Sequence, residues 1–230
     1  MIWPNRGYQR RVDLHPHRHP LPTLLHRRRE PHLPLSGRRP AGTGAGRVAP
    51  GEIGVCLVAT VTPDFLSPAA ACLLQKELGF PEDTICFDLN AACSGFVYAL
   101  HTAECLLAST PRKYGLVLGA EILSRVMDFG DRSTCVLFGD GAGPPWWSGG
   151  QTTPPSTPCW LRGNSEVLYV PGVNTAAPPH VHMDGQSVFR FAVEAVPRCA
   201  REVLDRAGLT PEDIDLFVFH QANQRIIDFA

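Results

Sequence analysis

Short and long apolar segments alternate along the chain from residue 51 onward, and this alternation constrains the fold more than any other feature. The short segments are rich in β-branched residues, which predicts strands buried on both faces, as in a parallel sheet. The longer segments predict helices, two of which are closed by a Gly. The predicted strands are EIGVCLVATVT, TICFDLN, KYGLVLGAEIL, TCVLFGDGAG and LFVFH, and the predicted helices are AAACLLQKELGF, AACSGFVYALHTAECLLAS, GQSVFRFAVEAVPRCAREVLDRAG and a short one after LFVFH. The second helix is apolar nearly all round, which predicts that it is fully buried. The fold class is therefore α/β.

An internal repeat indicates two halves built on one plan. Residues 50–62 and residues 211–223 each begin with Pro, carry Ile three residues later and continue into an apolar strand. The second copy follows an amphipathic helix over residues 186–207, whereas the segment RRPAGTGAGRVA stands before the first copy. We therefore predict a duplicated architecture in which the helix leading into the first copy is missing.

Two segments differ in composition from the rest of the chain. Residues 1–50 hold ten Arg, eight Pro, five His and no Lys, and residues 143–163 hold three of the four Trp and five Pro. The first has no helix or strand period, and Pro excludes the second from a central strand. We hypothesise that both arise from out-of-frame translation, which the coding DNA would test. The predicted divisions are an N-terminal segment (1–50), a first half with the nucleophile (51–142), an irregular insert (143–163) and the start of a second half (164–230).

The charge of the chain is divided unevenly. Residues 1–50 carry ten Arg and two acidic residues, for +8, and residues 51–230 carry 11 basic and 20 acidic residues, for −9. An Arg-rich arm that binds nucleic acid is one interpretation of the first segment, and a transit peptide is another. Transit peptides are rich in Ser, however, and Ser36 is the only Ser there. We interpret the segment as an unstructured tail and expect no nucleic-acid partner.

The eight Cys predict neither a metal site nor a disulfide framework. No two of them form a CxxC pair, and most lie in apolar runs, where Cys behaves as a small core residue of a reducing compartment. No apolar run reaches the roughly 18 residues of a membrane span. Arg and Pro interrupt the apolar stretches near the N-terminus, which does not fit a secretory signal. We expect a cytoplasmic protein without membrane contact.

Cys93 differs from the other cysteines because it lies where a predicted strand meets a predicted helix, in DLNAACSGF (88–96). Small residues flank it on both sides, which lets a substrate approach the backbone closely. The start of a helix offers unpaired N–H groups and a partial positive charge, which favour a thiolate nucleophile. The alternative is a buried structural Cys.

Two further polar residues follow or precede predicted strands. His220, in HQAN (220–223), ends the strand LFVFH, where α/β proteins place site residues. As neutral imidazole it could donate a hydrogen bond to an oxygen that develops negative charge, and the alternative is a structural His. Arg132 could bind a phosphate, or it could form an exposed salt bridge. The segment GDGAG (139–143) lacks the ending of a phosphate loop and is interpreted as a tight turn beside packed backbone.

Five long motifs carry a family resemblance, and they are ATVTPDFLSP, DLNAACSGFVYAL, GDRSTCVLFGDGAG, HMDGQSVFRFAV and AGLTPEDIDLFVFHQANQRII. In this order they resemble the β-ketoacyl-(acyl carrier protein) synthase III family over about residues 51–142 and 164–228. The resemblance implies the thiolase-like layered α/β fold with internal duplication, incomplete at both ends of this chain, and a homodimer.

The resemblance also implies a reaction and its residues. Cys93 would accept an acyl group from acyl-CoA, with its own N–H in the oxyanion hole. Malonyl-(acyl carrier protein) would then lose CO₂, His220 would stabilise the enolate, and condensation would give a β-ketoacyl-(acyl carrier protein). Arg132 and Arg225 resemble the basic residues that meet CoA phosphates or the carrier protein. Asn223 belongs to the HQAN motif and is not the catalytic Asn of the family. No cofactor is implied beyond these substrates.

The chain departs from the family pattern after HQAN. The family carries its catalytic Asn in a downstream GN-T-S-type loop, and this chain ends at Ala230. Catalytic residues act as a unit, so we expect impaired condensation even where Cys93 accepts an acyl group. One alternative is therefore a non-catalytic remnant that acts as a dimerisation or carrier-protein-binding module. A secondary-metabolite condensing enzyme of the same fold is another.

Overall fold

The computed structural model describes residues 48–143, 146–148, 163–172 and 175–229. Most of the predicted N-terminal segment and of the predicted insert lies outside these residues, so the division of the chain into four parts stays a prediction. The strands are β1 (Ile53–Ala59), β2 (Ile85–Leu89), β3 (Tyr114–Glu121), β4 (Gly141–Gly143), β5 (Trp146–Ser148), β6 (Leu168–Tyr169) and β7 (His182–Met183). The helices are α1 (Ala70–Leu78), α2 (Gly95–Leu107), α3 (Gly185–Ala207) and α4 (Gln224–Asp228), with 3₁₀ turns at Pro50–Glu52, Ala92–Ser94, Leu123–Val126 and Pro211–Asp213.

The strand β1 lies at the centre of the main sheet. It pairs in parallel with β2 on one side and with β3 on the other, so that Cys56 lies between Cys86 and Leu116. The strands β4 and β5 both run antiparallel to β3. Every residue of β1 is buried, which confirms a strand covered on both faces. The strand β2 is only half-buried, contrary to the prediction, because it lies at the edge of the sheet.

The helix α1 packs on β2 and β1 and is anchored by a carboxylate of the sheet. Asp88 accepts hydrogen bonds from the N–H groups of Ala70 at 2.7 Å and Ala71 at 2.9 Å. These N–H groups have no partner within the helix, so the bonds stabilise its first turn. The helix ends before Gly79, whose φ of 69° is left-handed. The predicted closure by Gly79 is thus confirmed.

The helix α2 covers β1 and β3 with one buried stripe. The stripe repeats every four residues and joins a core cluster of Val55, Leu57, Ala59, Ala99, Ala103, Leu107 and Val117. On its outer side Val97, His101 and Cys105 are exposed. The prediction of a fully buried helix is therefore wrong. Apolar composition shows that a helix face can be buried, but only the side against the sheet has a packing partner in the described residues.

The segment TCVLF was predicted to be a strand and instead forms turns. The Asp131 carboxylate accepts three hydrogen bonds. They come from the hydroxyl of Ser133 at 2.6 Å, the hydroxyl of Thr134 at 2.7 Å and the N–H of Ser133 at 2.9 Å. Such local bonds compete with a β-ladder for the same backbone. The strand begins only at β4, within GDGAG, and a Cβ on Gly141 or Gly143 would meet no atom within 4 Å. The tight turn beside packed backbone predicted for GDGAG is therefore also wrong.

The helices α3 and α4 confirm the predicted C-terminal helices. Asp184 caps α3 by accepting from the N–H groups of Gln186 at 3.1 Å and Ser187 at 3.2 Å, and the helix ends before Gly208. Asn223 caps α4. None of the helices that the structure describes combines the length and the apolarity needed to cross a membrane.

The two copies of the internal repeat begin alike and then diverge. In each copy a 3₁₀ turn begins at Pro, and an acidic side chain of the turn accepts a hydrogen bond from the N–H of the residue before that Pro. In the first copy Ala49 donates to Glu52 at 2.8 Å, and in the second Thr210 donates to Asp213 at 2.8 Å. The first copy continues into β1, whereas LFVFH pairs with no strand in the described part of the chain. The predicted strand LFVFH is therefore wrong, because an apolar segment becomes a strand only where another strand offers a free edge.

Candidate active site

The carboxyl ends of the parallel strands β1, β2 and β3 lie side by side at one end of the sheet. In their common register Ala59 lies opposite Leu89 and Gly119. The hydrogen bonding between β1 and β2 continues one residue beyond the end of β1, because the N–H of Thr60 donates to the carbonyl of Leu89 at 3.1 Å. In open α/β sheets functional side chains gather beyond the carboxyl ends of the strands. The segments that follow these three strands form the candidate site.

Cys93 lies on the turn between β2 and α2, as predicted. Ala92 before it has φ of 45°, a left-handed conformation that residues with a Cβ rarely adopt. Strain of this kind amounts to about 1–3 kcal/mol and is concentrated at functional sites. The N–H of Ser94 closes the turn on the carbonyl of Ala91 at 3.0 Å. The strained turn leaves Cys93 exposed at the start of α2.

Gly95 allows the start of α2 to lie directly on β1. A Cβ at Gly95 would be 3.4 Å from the Cβ of Ala59, at the limit of an ordinary contact. A larger side chain at either position would lift the helix start away from the sheet and move Cys93 with it. The small residues around Cys93 therefore have a structural reason as well as the predicted role of admitting a substrate.

The pKa of the Cys93 thiol is raised above its ordinary value. Although the residue as a whole is exposed, partial burial of its sulfur is the largest cause of the rise. The hydrogen bond from the N–H of Cys93 itself acts in the opposite direction, and the negative charge of Glu121 adds to the rise. The thiol is therefore protonated at neutral pH. Burial and the nearby carboxylate therefore act against the thiolate that the helix start was expected to favour.

Glu121 ends β3 and was missed by the sequence analysis. Its carboxylate accepts the N–H of Val61 at 2.9 Å, the hydroxyl of Thr62 at 2.7 Å and, in a longer bond, the hydroxyl of Thr60 at 3.5 Å. Burial raises the pKa of the carboxyl, and these hydrogen bonds oppose that rise. An acidic residue that ends an apolar strand was the available signal, by the same reasoning that selected His220.

His220 lies in the segment between the 3₁₀ turn Pro211–Asp213 and α4. Burial lowers the pKa of its imidazole, so the ring is neutral at neutral pH. This agrees with the neutral hydrogen-bond donor that the sequence analysis assumed. No hydrogen bond joins His220 to Cys93 among the described residues, and their joint action stays a prediction.

The two predicted basic residues, Arg132 and Arg225, are both exposed. Neither takes part in an ion pair within the described ranges, where the three ion pairs involve other residues. The alternative prediction, an exposed salt bridge at Arg132, is therefore not observed in the described part of the structure. Asn223 accepts the N–H of Arg225 at 2.9 Å and so has a capping role in α4. The binding roles of the two Arg side chains stay predictions.

Models of one protein family match the two parts of the chain that contain these residues. The family model of 3-oxoacyl-(acyl-carrier-protein (ACP)) synthase III matches residues 87–146, and the C-terminal model of that family matches residues 204–230. The first match contains Cys93 and Glu121, and the second contains His220. The β-ketoacyl-(acyl-carrier-protein) synthase III of Clostridium acetobutylicum is 40% identical over 194 residues, which cover 80% of this chain and 59% of the relative. These matches support the 3-oxoacyl-(acyl-carrier-protein) synthase III family for this chain.

Solved structures of synthase III proteins show the same fold. The 3-oxoacyl-(acyl-carrier-protein) synthase III of Aquifex aeolicus is 39% identical with a TM-score of 0.71, over 79% of this chain and 58% of that one. The priming β-ketosynthase of the R1128 polyketide pathway is 38% identical with a TM-score of 0.69, over 79% of this chain and 57% of that one. The predicted thiolase-like α/β fold class is confirmed. The chain spans less than two thirds of the length of these relatives.

Proposed function

We propose that the chain carries the chemistry of a β-ketoacyl-(acyl carrier protein) synthase III. It would join an acyl-CoA starter such as acetyl-CoA to malonyl-(acyl carrier protein) and so begin fatty-acid biosynthesis. The observation that carries the proposal is the position of Cys93, exposed on a strained turn at the start of α2 and inside the matched residues 87–146. The Clostridium acetobutylicum relative bears the name of this reaction.

In the first step the sulfur of Cys93 attacks the carbonyl carbon of the acyl-CoA thioester. A carbon–sulfur bond to Cys93 forms, the bond to CoA breaks, and the proton from Cys93 ends on the departing CoA thiol. Negative charge develops on the carbonyl oxygen. The N–H of Cys93, on the turn before α2, stabilises this oxygen once the substrate is bound.

In the second step malonyl-(acyl carrier protein) loses CO₂ and becomes an enolate. The enolate carbon attacks the acyl carbon on Cys93, a carbon–carbon bond forms, and the sulfur leaves as a thiolate that takes a proton from solvent. The neutral ring of His220 donates a hydrogen bond to the enolate oxygen. The exposed Arg132 and Arg225 contact CoA phosphates or the acidic carrier protein. We place this reaction in a cytoplasmic homodimer that needs no cofactor.

The first half-reaction is tested by incubating the full chain with acetyl-CoA. We expect one acetyl group on Cys93, in the tryptic peptide of residues 77–112, located by fragmentation in a mass spectrometer. Cys86 and Cys105 lie in the same peptide and serve as internal controls that stay unmodified. A folded protein without an adduct on Cys93, under conditions where added iodoacetamide does react, would contradict the proposed function.

Replacement of His220 by alanine is expected to separate the two half-reactions. The variant should form the acyl adduct on Cys93 at the wild-type rate, because His220 has no part in that step. Release of CO₂ from malonyl-(acyl carrier protein) should fall by roughly 100-fold or more, since a donor to a developing oxyanion is lost. Labelled CO₂ is measured against the His182→Ala variant as control. Equal CO₂ release from both variants would remove His220 from the mechanism.

A further inference from the structure

Three cysteines that the proposed reaction does not use lie between α1 and the sheet. The residues on either side of Cys56 in β1 belong to the core cluster under α2, so Cys56 points to the opposite face of the sheet. The residues on either side of Cys86 in β2 pack against the same cluster, so Cys86 also points away from α2. Asp88 shares that face of β2 and binds the start of α1. Cys72 of α1 donates its thiol proton to the carbonyl of Cys86 at 3.7 Å, which places it in the same layer.

Cys56 and Cys86 are direct neighbours in the parallel ladder of β1 and β2. Adjacent strands lie about 4.7–4.9 Å apart, which is within the roughly 4.4–6.8 Å that separates the Cα atoms of disulfide-bonded cysteines. Both side chains point to the same face, so their sulfurs can meet without a change of register. Both are free thiols in this structure. The sheet therefore holds two thiols at a separation from which a disulfide can form.

The surroundings of the two thiols give them different roles. Cys56 is fully buried in the central strand, whereas Cys86 is half-buried on β2, the edge strand of the sheet. The thiol of Cys56 donates a hydrogen bond to the sulfur of Cys86, which raises the pKa of Cys56 and lowers the pKa of Cys86. Cys86 is therefore the thiol that ionises more readily and that a small oxidant reaches from solvent. Cys56 is the partner held beside it.

We propose that Cys86 and Cys56 are a redox-sensitive modification site, at which a peroxide converts the two thiols into a reversible disulfide between β2 and β1. The site uses neither Cys93 nor His220, and no acyl donor takes part, so the inference is independent of the proposed function. In a reducing compartment a disulfide of this kind forms under an oxidant and is reversed by other thiols. The bond fastens the edge strand β2 to the central strand β1.

The oxidation proceeds in two balanced steps. The Cys86 thiolate attacks one oxygen of hydrogen peroxide, the O–O bond breaks, and the departing hydroxide takes up the proton that the thiol released. Cys86 is then a sulfenic acid, and one water has formed. The Cys56 sulfur attacks the Cys86 sulfur, the S–O bond breaks, and the hydroxyl leaves with the Cys56 proton as a second water. Two thiols are oxidised to one disulfide while the peroxide is reduced to water.

The test treats the full chain with hydrogen peroxide, unfolds it in iodoacetamide to block the remaining thiols and digests it with trypsin without a reductant. Cys56 lies in the peptide of residues 48–76, and Cys86 lies in the peptide of residues 77–112. We expect the two peptides to be joined, with a mass two hydrogens below their sum, and fragmentation should place the bond between Cys56 and Cys86. Dithiothreitol should separate the peptides again. On a non-reducing denaturing gel the oxidised chain should run as a monomer, because the bond lies within one chain.

Three variants assign the bond to its two sulfurs. Cys72→Ala is the matched control, because Cys72 lies in the same peptide as Cys56 and directs its proton at a carbonyl, and this variant should still join the two peptides. Cys56→Ala should not join them. Cys86→Ala should give the same loss, and because Cys86 lies outside the core cluster it serves even if Cys56→Ala does not fold. Circular dichroism confirms that each variant is folded.

Two results would overturn the inference about this pair. One is a folded wild-type chain in which Cys56 and Cys86 both stay free thiols at a peroxide concentration that oxidises the exposed Cys105. The other is a link between the two peptides that Cys72→Ala or Cys93→Ala removes, which would assign the bond to a different sulfur. The assay contains no thioester, so either result leaves the acyl adduct on Cys93 to be judged separately.

Discussion

Replacement of Cys93 by alanine is expected to lower acyl transfer from acetyl-CoA by roughly 1,000-fold or more, the largest change that a single substitution in this chain should produce. The acceptor atom itself is removed, and no other described thiol lies on a strained turn at a helix start. Serine at the same position should rescue little, because a hydroxyl ionises far less readily than a thiol. The measurement is the rate at which free CoA thiol appears, with adduct formation followed by intact mass.

Cys105 provides the matched control for this prediction. It lies on the exposed side of α2, in the same tryptic peptide as Cys93, and its sulfur is 3.8 Å from the ring nitrogen of His101. Cys105→Ala should transfer acyl groups as the wild type does. If the Cys93→Ala variant still gained one acyl group at the wild-type rate, the assignment of Cys93 as nucleophile would be wrong.

Replacement of Leu57 by alanine is expected to lower the free energy of unfolding by about 3–5 kcal/mol. Leu57 is fully buried, at the centre of β1 and inside the cluster under α2. Removal of its side chain leaves a cavity that strands on both sides prevent from closing, and the lost contacts are not replaced. Since a domain of this kind is stable by about 5–15 kcal/mol, the variant should lose a large part of its stability.

Urea unfolding of the full chain, followed by circular dichroism, measures this effect. Leu66→Ala is the control, because Leu66 is 84% exposed and its truncation should change the free energy of unfolding by less than about 0.5 kcal/mol. A Leu57→Ala variant that unfolds at the same urea concentration as the control would show that β1 is not the centre of the core.

The helices and strands that are defined by local sequence signals could be predicted from the sequence. The strands β1 and β3, the helices α1 and α3 and the closures at Gly79 and Gly208 all follow from local periodicity and from residues that end helices. The position of Cys93 at a strand-to-helix turn follows in the same way. Each of these features depends on residues a few positions apart, which a single sequence displays directly.

The wrong predictions share a different cause. The segments TCVLF and LFVFH have the composition of strands, but the first is held in turns by Asp131 and the second has no strand beside it in the described residues. Similarly, β2 lies at an edge and α2 has only one covered side. Apolar composition shows which segments can be buried, but the packing neighbours in the folded chain determine which segments are buried.

By itself the sequence determined the α/β class and the family resemblance, and it predicted Cys93 as nucleophile, because motifs and apolar periods are local properties of the chain. The tertiary structure alone decided the surroundings of the Cys93 sulfur. Partial burial of the sulfur and the negative charge of Glu121 raise the pKa of the Cys93 thiol, whereas the helix start alone predicted a fall. Cys93 and Glu121 are separated along the chain, and they lie in one site because β1 pairs with both β2 and β3. Electrostatic effects depend on such distances and on exclusion of water, which no local pattern contains.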